Sequence, residues 1–503
     1  MKTCWIENTK ISRRSFLQAL GALTLSGSLA ACGGTGKAES GRLAAGSLAY
    51  TPDEVVTVDF SDGGITVSPK DAAGLAVEET ALSVSGAGVY ALSGRCADGS
   101  VKVEAQTEDV VLLLDGLTLT SADTAPIVCG KSTGVTIAVV DGTENTLTDS
   151  EANDPDNAAD NENAEKAVVK CKDGSQVVLC GGGALTVNAL GKNGIKSGTA
   201  LDDRDASLTI RELTLNIEAL VNDAINAEQR LKVESGKLTI AAGEDAIHCD
   251  MELNIGAEGT TGPAITVSTC CEGLEGAVLN IHSGNMDITS TDDCLNAANS
   301  DLGDYAFEIN ISGGTIKAYS SEGDGFDSNG TLTITGGDIS VWTANAADNQ
   351  PLDADERITI SGGTVLAAGG SAGMGFSISA SQPYVTFGGG RDSSLSLAGG
   401  EAFSIADESG KSVLDSTALC DAAFLFYSSP ALTAEGRYSV QSTVTATAKT
   451  GEADTQFGGN GGPGGSGGQR PDGMTPPDGQ MPQGQPPQSD GTTPPELPAA
   501  SSN

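Results

Sequence analysis

Seven four-residue cores recur through the middle of the chain at intervals of 21 to 31 residues. They read NGIK (193–196), DAIN (223–226), DAIH (245–248), EGLE (272–275), DCLN (293–296), DGFD (324–327) and QPLD (350–353). Short runs such as ALTVNAL, KLTIAA, TLTITGG and RITISGGTVLAA flank them, rich in Val, Ile, Leu and Thr and ended by Gly, Asn or Asp. Such runs read as β-strands. A period of this size, with no long amphipathic helical pattern inside it, predicts a parallel β-solenoid in which each repeat is one coil. The third residue of each core (Ile195, Ile225, Ile247, Leu274, Leu295, Phe326, Leu352) is apolar and is expected to point inward. Its two neighbours are then expected to point outward, because side chains alternate along an extended segment. The recurring Gly-Gly pairs, as at 313–314 and 336–337, fit corners where φ turns positive.

Stacked coils lie about 4.8 Å apart, so equivalent residues form ladders. The first core position reads Asn193, Asp223, Asp245, Glu272, Asp293, Asp324, Gln350, and the fourth reads Lys196, Asn226, His248, Glu275, Asn296, Asp327, Asp353. Unit charges this close repel by roughly 1 kcal/mol in water and several times more when partly buried. Two readings follow. Either a cation neutralises the ladder or the acids form a solvated, solubilising face. Calcium suits the first, since it takes 6–8 oxygens at about 2.3–2.6 Å, whereas magnesium demands tighter geometry and zinc prefers nitrogen and sulfur. The acidic stretch EANDPDNAADNENAE (151–165) has no fixed spacing and reads as a surface loop.

Composition narrows the function classes. The chain carries 27 basic and 67 acidic residues, a formal charge of −40, so a nucleic-acid partner is not expected. Aromatics are only 4% and glycine supplies 67 residues, which suits many short strands and turns better than one large compact core. With only His248 and His282, neither a Ser-His-Asp triad nor a histidine-rich metal site is indicated, and no nucleotide-binding loop is present. After Cys4 and Cys32, the cysteines are Cys96, Cys129, Cys171, Cys180, Cys249, Cys270, Cys271, Cys294 and Cys420. An odd number at irregular spacing is no disulfide framework, and they read as small buried hydrophobes.

The ends differ from the middle. ISRRSFLQALGALTLSGSLAACGG carries paired Arg13 and Arg14, an apolar stretch and small residues before Cys32. It resembles a twin-arginine export signal ending in a bacterial lipobox, with Cys32 as the acylated residue. The expected organisation is a signal segment at 1–31 and a lipidated tether at 32–52. A β-helix at 53–390, a β cap at 391–457 and a disordered Gly/Pro-rich tail at 458–503 follow. The expected location is the outer side of the cell membrane.

The stretch from ADGSVKVEAQTEDVVLLLDGLTLTSADTAPIVCG, through EGLE, DDCLNAANS and GDGFDSNGTLTITGG, to LDADERITISGGTV resembles the carbohydrate-binding β-helix lipoproteins of cellulolytic clostridia. The resemblance implies a right-handed parallel β-helix of pectate-lyase type that binds cellulose- or pectin-class glycans and holds calcium. On it, the metal residues are Asp223, Asp245, Glu272, Glu275, Asp293, Asp324, Asp327 and Asp353. Asn193 and Lys196 in the first core, and Gln350-Pro351 in the seventh, depart from the acidic pattern. Tyr319 and Trp342 are the aromatic candidates for sugar contact. The leading expectation is a non-catalytic polysaccharide-binding protein. A calcium-dependent polysaccharide lyase is the first alternative, with Lys196, Lys317 or Arg357 as the base. An adhesin or envelope-structural protein is the second.

Overall fold

A computed structural model describes residues 43–299, 302, 305–344, 349–370, 377–389 and 395–454. The expected signal segment at 1–31, the expected acylated Cys32 and the expected tail at 458–503 lie outside them. Among the described residues the chain is all β, with no α-helix and only two short 3-10 turns, Pro52–Glu54 and Glu151–Asn153. Three parallel ladders run along most of the length. One joins Ala167–Cys171, Asn193–Ser197, Ile225–Ala227 and the first halves of Ile247–Ile255 and Leu274–Ile281. It continues through Leu295–Ala297 and Phe326–Ser328. A second runs through Gln176–Gly181, Ser207–Ile210 and Arg230–Val233 to Arg357–Ile360. The third runs through Ala184–Asn188, Thr214–Ala219 and Lys237–Ala242 to Thr364–Gly369.

Register follows the repeat. Ile195, Ile225, Ile247, Leu274, Leu295, Phe326 and Leu352 are each paired with the next, and all are at most 1% exposed. A single apolar cluster extends from Val58 to Phe426, built from such levels. On the second ladder, Asn280 donates to Asn254 Oδ1 and Asn310 to Asn280 Oδ1, each at 3.2 Å. Stacked amides of this kind arise only where equivalent residues sit directly above one another.

The outward expectation for both neighbours of the apolar core residue fails for the second position. Gly194, Ala224, Ala246, Gly273, Cys294 and Gly325 are buried. Except at Gly194, which lies inside Asn193–Ser197, the chain bends before the strand begins, so alternation does not extend back through the bend. A Cβ on Gly325 would lie 2.3 Å from both Pro351 O and Val341 Cγ2, so nothing larger fits there. The two residues of each Gly-Gly pair are glycine for different reasons. Gly314 and Gly337 have φ of +89° and +95°. A Cβ on Gly313 or Gly336 would instead meet a carbonyl of the level below, His282 O at 2.3 Å or Ser312 O at 2.2 Å.

The ladders are covered on one outer face by a hairpin and at the carboxy-terminal end by antiparallel strands. The expected tether stops short of 52, because Leu43–Ala45 and Leu48–Tyr50 pair as an antiparallel hairpin. Ala45 is fully buried there beside Val55, Leu113, Ala138 and Cys180. At the far end, Phe424–Ser428 pairs antiparallel with Thr364–Gly369 and with Ser377–Gly388. A four-stranded antiparallel sheet, Ser412–Thr417, Ala402–Asp407, Arg437–Val440 and Val444–Thr447, completes the cap. The nine described cysteines are free thiols; all are buried except the partly exposed Cys420.

Candidate functional site

Three rows of side chains from consecutive levels of the first ladder line one groove of about 810 Å³. The first-position row supplies Asp223, Asp245, Glu272, Asp293 and Asp324, and the fourth-position row supplies Asn226, His248, Glu275 and Asp327. The third row was not singled out from the sequence. It consists of the residues just before each core: Lys192, Asn222, Glu244, Cys271, Asp292, Gly323 and Asn349, all lining the groove. The signal was present in the sequence, one position upstream of each core. Seven of the eight expected metal residues therefore share one groove, and Asp353 joins Asp324 and Asp327 at its end.

The groove divides electrostatically. Toward the amino-terminal side the acids have polar side-chain partners. His248 Nδ1 lies 3.0 Å from Asp245 and 2.8 Å from Glu275, and its Nε2 lies 2.8 Å from Asp250. Burial opposes the charge on the imidazole, but these three carboxylates overcome it and hold the ring well above the usual histidine range. Asn226 donates to Asp223 at 2.6 Å, and Asn296 to Glu272 at 2.8 Å. His248 is thus a built-in cation, a role its position in the fourth row marks but its residue type alone does not.

Toward the carboxy-terminal side no side-chain cation is inserted among the described residues. Asp324, Asp327 and Asp353 each bring an oxygen within 4.8 Å of the others. Burial first, then the charge of Asp327, pushes Asp293 up to about 9. Burial, then Asp327 and Asp353, raises Asp324 to about 7; burial, then Asp353 and Asp355, raises Asp327 to about 6. Among the described residues, two neutral oxygens here also lack a donor: Asn296 Oδ1, between Glu275 and Asp327, and Gln350 Oε1, next above Asp324. Both residues are more than nine-tenths buried. An acceptor buried without a donor is costly. The carboxylates accept backbone N–H groups, Asp293 from Asp324, Asp324 from Gln350 and Asp353 from Ala354, but no side-chain cation among the described residues. Converging carboxylates and carbonyl-type oxygens in that state are the donor set of a hard cation. Gln350, a departure from the acidic pattern, contributes to this set rather than ending it.

These shifts fix a pH dependence for the metal-free chain. A carboxyl whose folded pKa stands above its unfolded value of about 4 binds protons more tightly when folded. Its stabilising contribution is full below that pH and is lost as pH rises through the folded value. In the presence of a chelator, the melting temperature should therefore fall steadily as pH is raised from about 5 through about 9, where Asp293 is half titrated. A flat or rising profile would show that these carboxyls are solvated.

Other expected residues fall elsewhere. Trp342 is fully buried, which corrects its assignment as a sugar platform. Alternation turns it outward from Val341, but the cap then covers it, with Phe403 edge-on at 6.0 Å and Ser340 accepting from Nε1. Tyr319 is its register neighbour and leans partly buried on the same cap cluster. Of the three expected bases, Lys196 pairs with Glu228 at 2.9 Å and Lys317 with Asp287 at 3.1 Å. Arg357 is exposed on the second ladder, and none of the three lines the groove.

Comparison with known proteins gives three likenesses. The family described as carbohydrate-binding domain-containing protein matches residues 78–373. A carbohydrate-binding domain-containing protein of Acetivibrio thermocellus is 30% identical over 184 residues, 36% of this chain, which spans 60% of that relative's length. A polysaccharide lyase-like protein from C. thermocellum, solved as a gadolinium derivative, is similar over 62% of this chain and 93% of its own. That likeness, at 22% identity and a TM-score of 0.30, is too loose to support an argument.

Proposed function

The chain belongs to the carbohydrate-binding domain-containing protein family, and from that premise we propose that it is a non-catalytic, surface-anchored lipoprotein holding an acidic, plant-type polysaccharide. The binding face is one side of a right-handed parallel β-helix, and the cofactor is calcium. Asp324, Asp327 and Asp353 would hold the ion, with Asp293, Asn296 and Gln350 beside them. The observation that carries this reading is the convergence of the three carboxylates within 4.8 Å, beside two buried oxygens that lack donors. Bound calcium supplies positive charge that uronate groups can share with the protein. Without it, a chain of charge −40 repels a polyanionic glycan.

The binding test is retention. Purified full-length chain should stay on immobilised polygalacturonate in calcium and elute when a chelator is added. Retention on insoluble cellulose should depend less on the metal. Failure to bind either matrix under both conditions contradicts the reading and favours an adhesin or structural spacer. Steady release of unsaturated uronate product would instead establish a lyase. That alternative is disfavoured by the engagement of Lys196 and Lys317 in ion pairs and by the remoteness of Arg357. Export through the paired arginines and acylation at Cys32 complete the proposal. The chain is expected in the detergent-soluble membrane fraction, and recovery from the cytoplasm would contradict this.

A further inference from the structure

Of the two histidines in the chain, His248 alone lines the groove. It occupies the fourth core position, in register with Asn226 on one side and Glu275 on the other. Asp245 opens the same core, three residues before it. The strand Ile247–Ile255 starts at this point, so His248 and Asp250, two residues apart, leave the same face of it. One imidazole is thereby placed among three carboxylates from two levels.

The two ring nitrogens meet different surroundings. Nε2 has one partner, Asp250 Oδ1 at 2.8 Å. Nδ1 faces two, Asp245 Oδ2 at 3.0 Å and Glu275 Oε2 at 2.8 Å. A ring nitrogen carries at most one proton, and a hydrogen bond weakens steeply as it bends. A proton on Nδ1 therefore serves two carboxylates poorly, whereas an ion between them serves both. Ligand atoms about 2.0–2.2 Å from a shared zinc-type ion stand roughly 3–3.5 Å apart, close to the spacing that Nδ1 already keeps from the two oxygens. All three atoms lie within 4.8 Å of one another. Asp250 stands outside this triangle and holds the opposite nitrogen. Carboxylates do the same behind metal-bound imidazoles, where they fix the tautomer and orientation of the ring. The side chains of His248, Asp245 and Glu275 are 22%, 13% and 18% exposed, so they are sheltered yet open to an ion arriving through the groove. The carboxylates that favour a proton on the ring favour a divalent ion more strongly, because each attracts twice the charge.

We propose that Asp245, His248 and Glu275 form a second metal site, for a divalent first-row transition ion of the zinc type, with Asp250 as the positioning residue behind the ring. This site is separate from the calcium proposed at Asp324, Asp327 and Asp353 and does not depend on it. The donors set the difference: imidazole suits zinc, copper and nickel, whereas calcium takes oxygens. On binding, the ion takes the Nδ1 lone pair, and the proton held there leaves to solvent. A nitrogen in a row of oxygens thus sorts two classes of cation along one groove.

The test uses the full chain, stripped with a chelator and dialysed, with cobalt(II) as the probe because its visible absorption reports its ligands. Cobalt should give a spectrum unlike that of the aqueous ion, and zinc should displace it. A large excess of calcium should leave that spectrum unchanged. His248→Gln should lose it, and Asp250→Asn should weaken cobalt binding by about 10–100-fold and shift the bands. Both variants should keep the calcium-induced rise in melting temperature, which shows that they are folded. Exchange of Asp324 and Asp327 for asparagine should leave cobalt binding intact. A spectrum no different from that of the aqueous ion, its survival in His248→Gln, or its loss to calcium would each overturn the site. Undiminished affinity in Asp250→Asn would overturn the positioning role. Cobalt binding without any stabilisation by calcium would remove the calcium reading and leave this site standing.

Discussion

Exchanging Asp324 and Asp327 together for asparagine should shift the melting temperature in opposite directions with and without calcium. In chelator at pH 8, the wild-type chain keeps two carboxyls ionised that burial and neighbouring carboxylates raise to about 7 and about 6. Amides of the same shape remove that repulsion, and the metal-free variant should be more stable by roughly 1–2 kcal/mol. In calcium the order reverses. An ion bound only by the folded state stabilises it by about 2.7 kcal/mol at a hundredfold excess over its dissociation constant, and the variant should lose nearly all of this. A solvated acidic face predicts neither effect, because exposed substitutions of this kind usually move stability by less than about 0.5 kcal/mol. The crossing of the two curves is therefore the diagnostic, and parallel curves would contradict the proposed site.

Phe326→Ala should be the most damaging single change in the groove wall. The ring is fully buried between Leu295 and Leu352, one level to each side. Removing it leaves a cavity that the facing levels fill only in part, at a cost of about 3–5 kcal/mol. Phe326 also lies between Asp324 and Asp327, so the collapse shifts two of the three converging carboxylates. Urea unfolding should show the lower midpoint, and calcium should rescue Phe326→Ala less than it stabilises the wild type. Full rescue by calcium would mean that the site does not depend on the ring beneath it.

The stacking of repeats was legible in the sequence because it rests on periodicity. The third residue of every core is apolar, and the structure pairs all seven in succession. The shared position of the acids followed from the same spacing, since the first and fourth residues of a core ride on the third. Side-chain orientation at the bends was not legible. Alternation is a property of extended backbone, and the second residue of every core after the first sits in a bend, buried. Trp342 departs from the expected sugar contact for a related reason. Its strand sends it outward, but burial is decided by a cap some sixty residues later in the chain, which has no repeat to announce it. The division of the acids was also hidden. His248 neutralises Asp245 and Glu275 through contacts that join different levels, and only the register shows which acids remain without a cation.

The most direct test of the account is a crystal structure of the full chain grown in calcium. An ion should appear among Asp324, Asp327 and Asp353, with oxygens at about 2.3–2.6 Å and with Asn296 or Gln350 turned toward it. Well-ordered carboxylates at that place with no ion between them, in a crystal saturated with calcium, would contradict it.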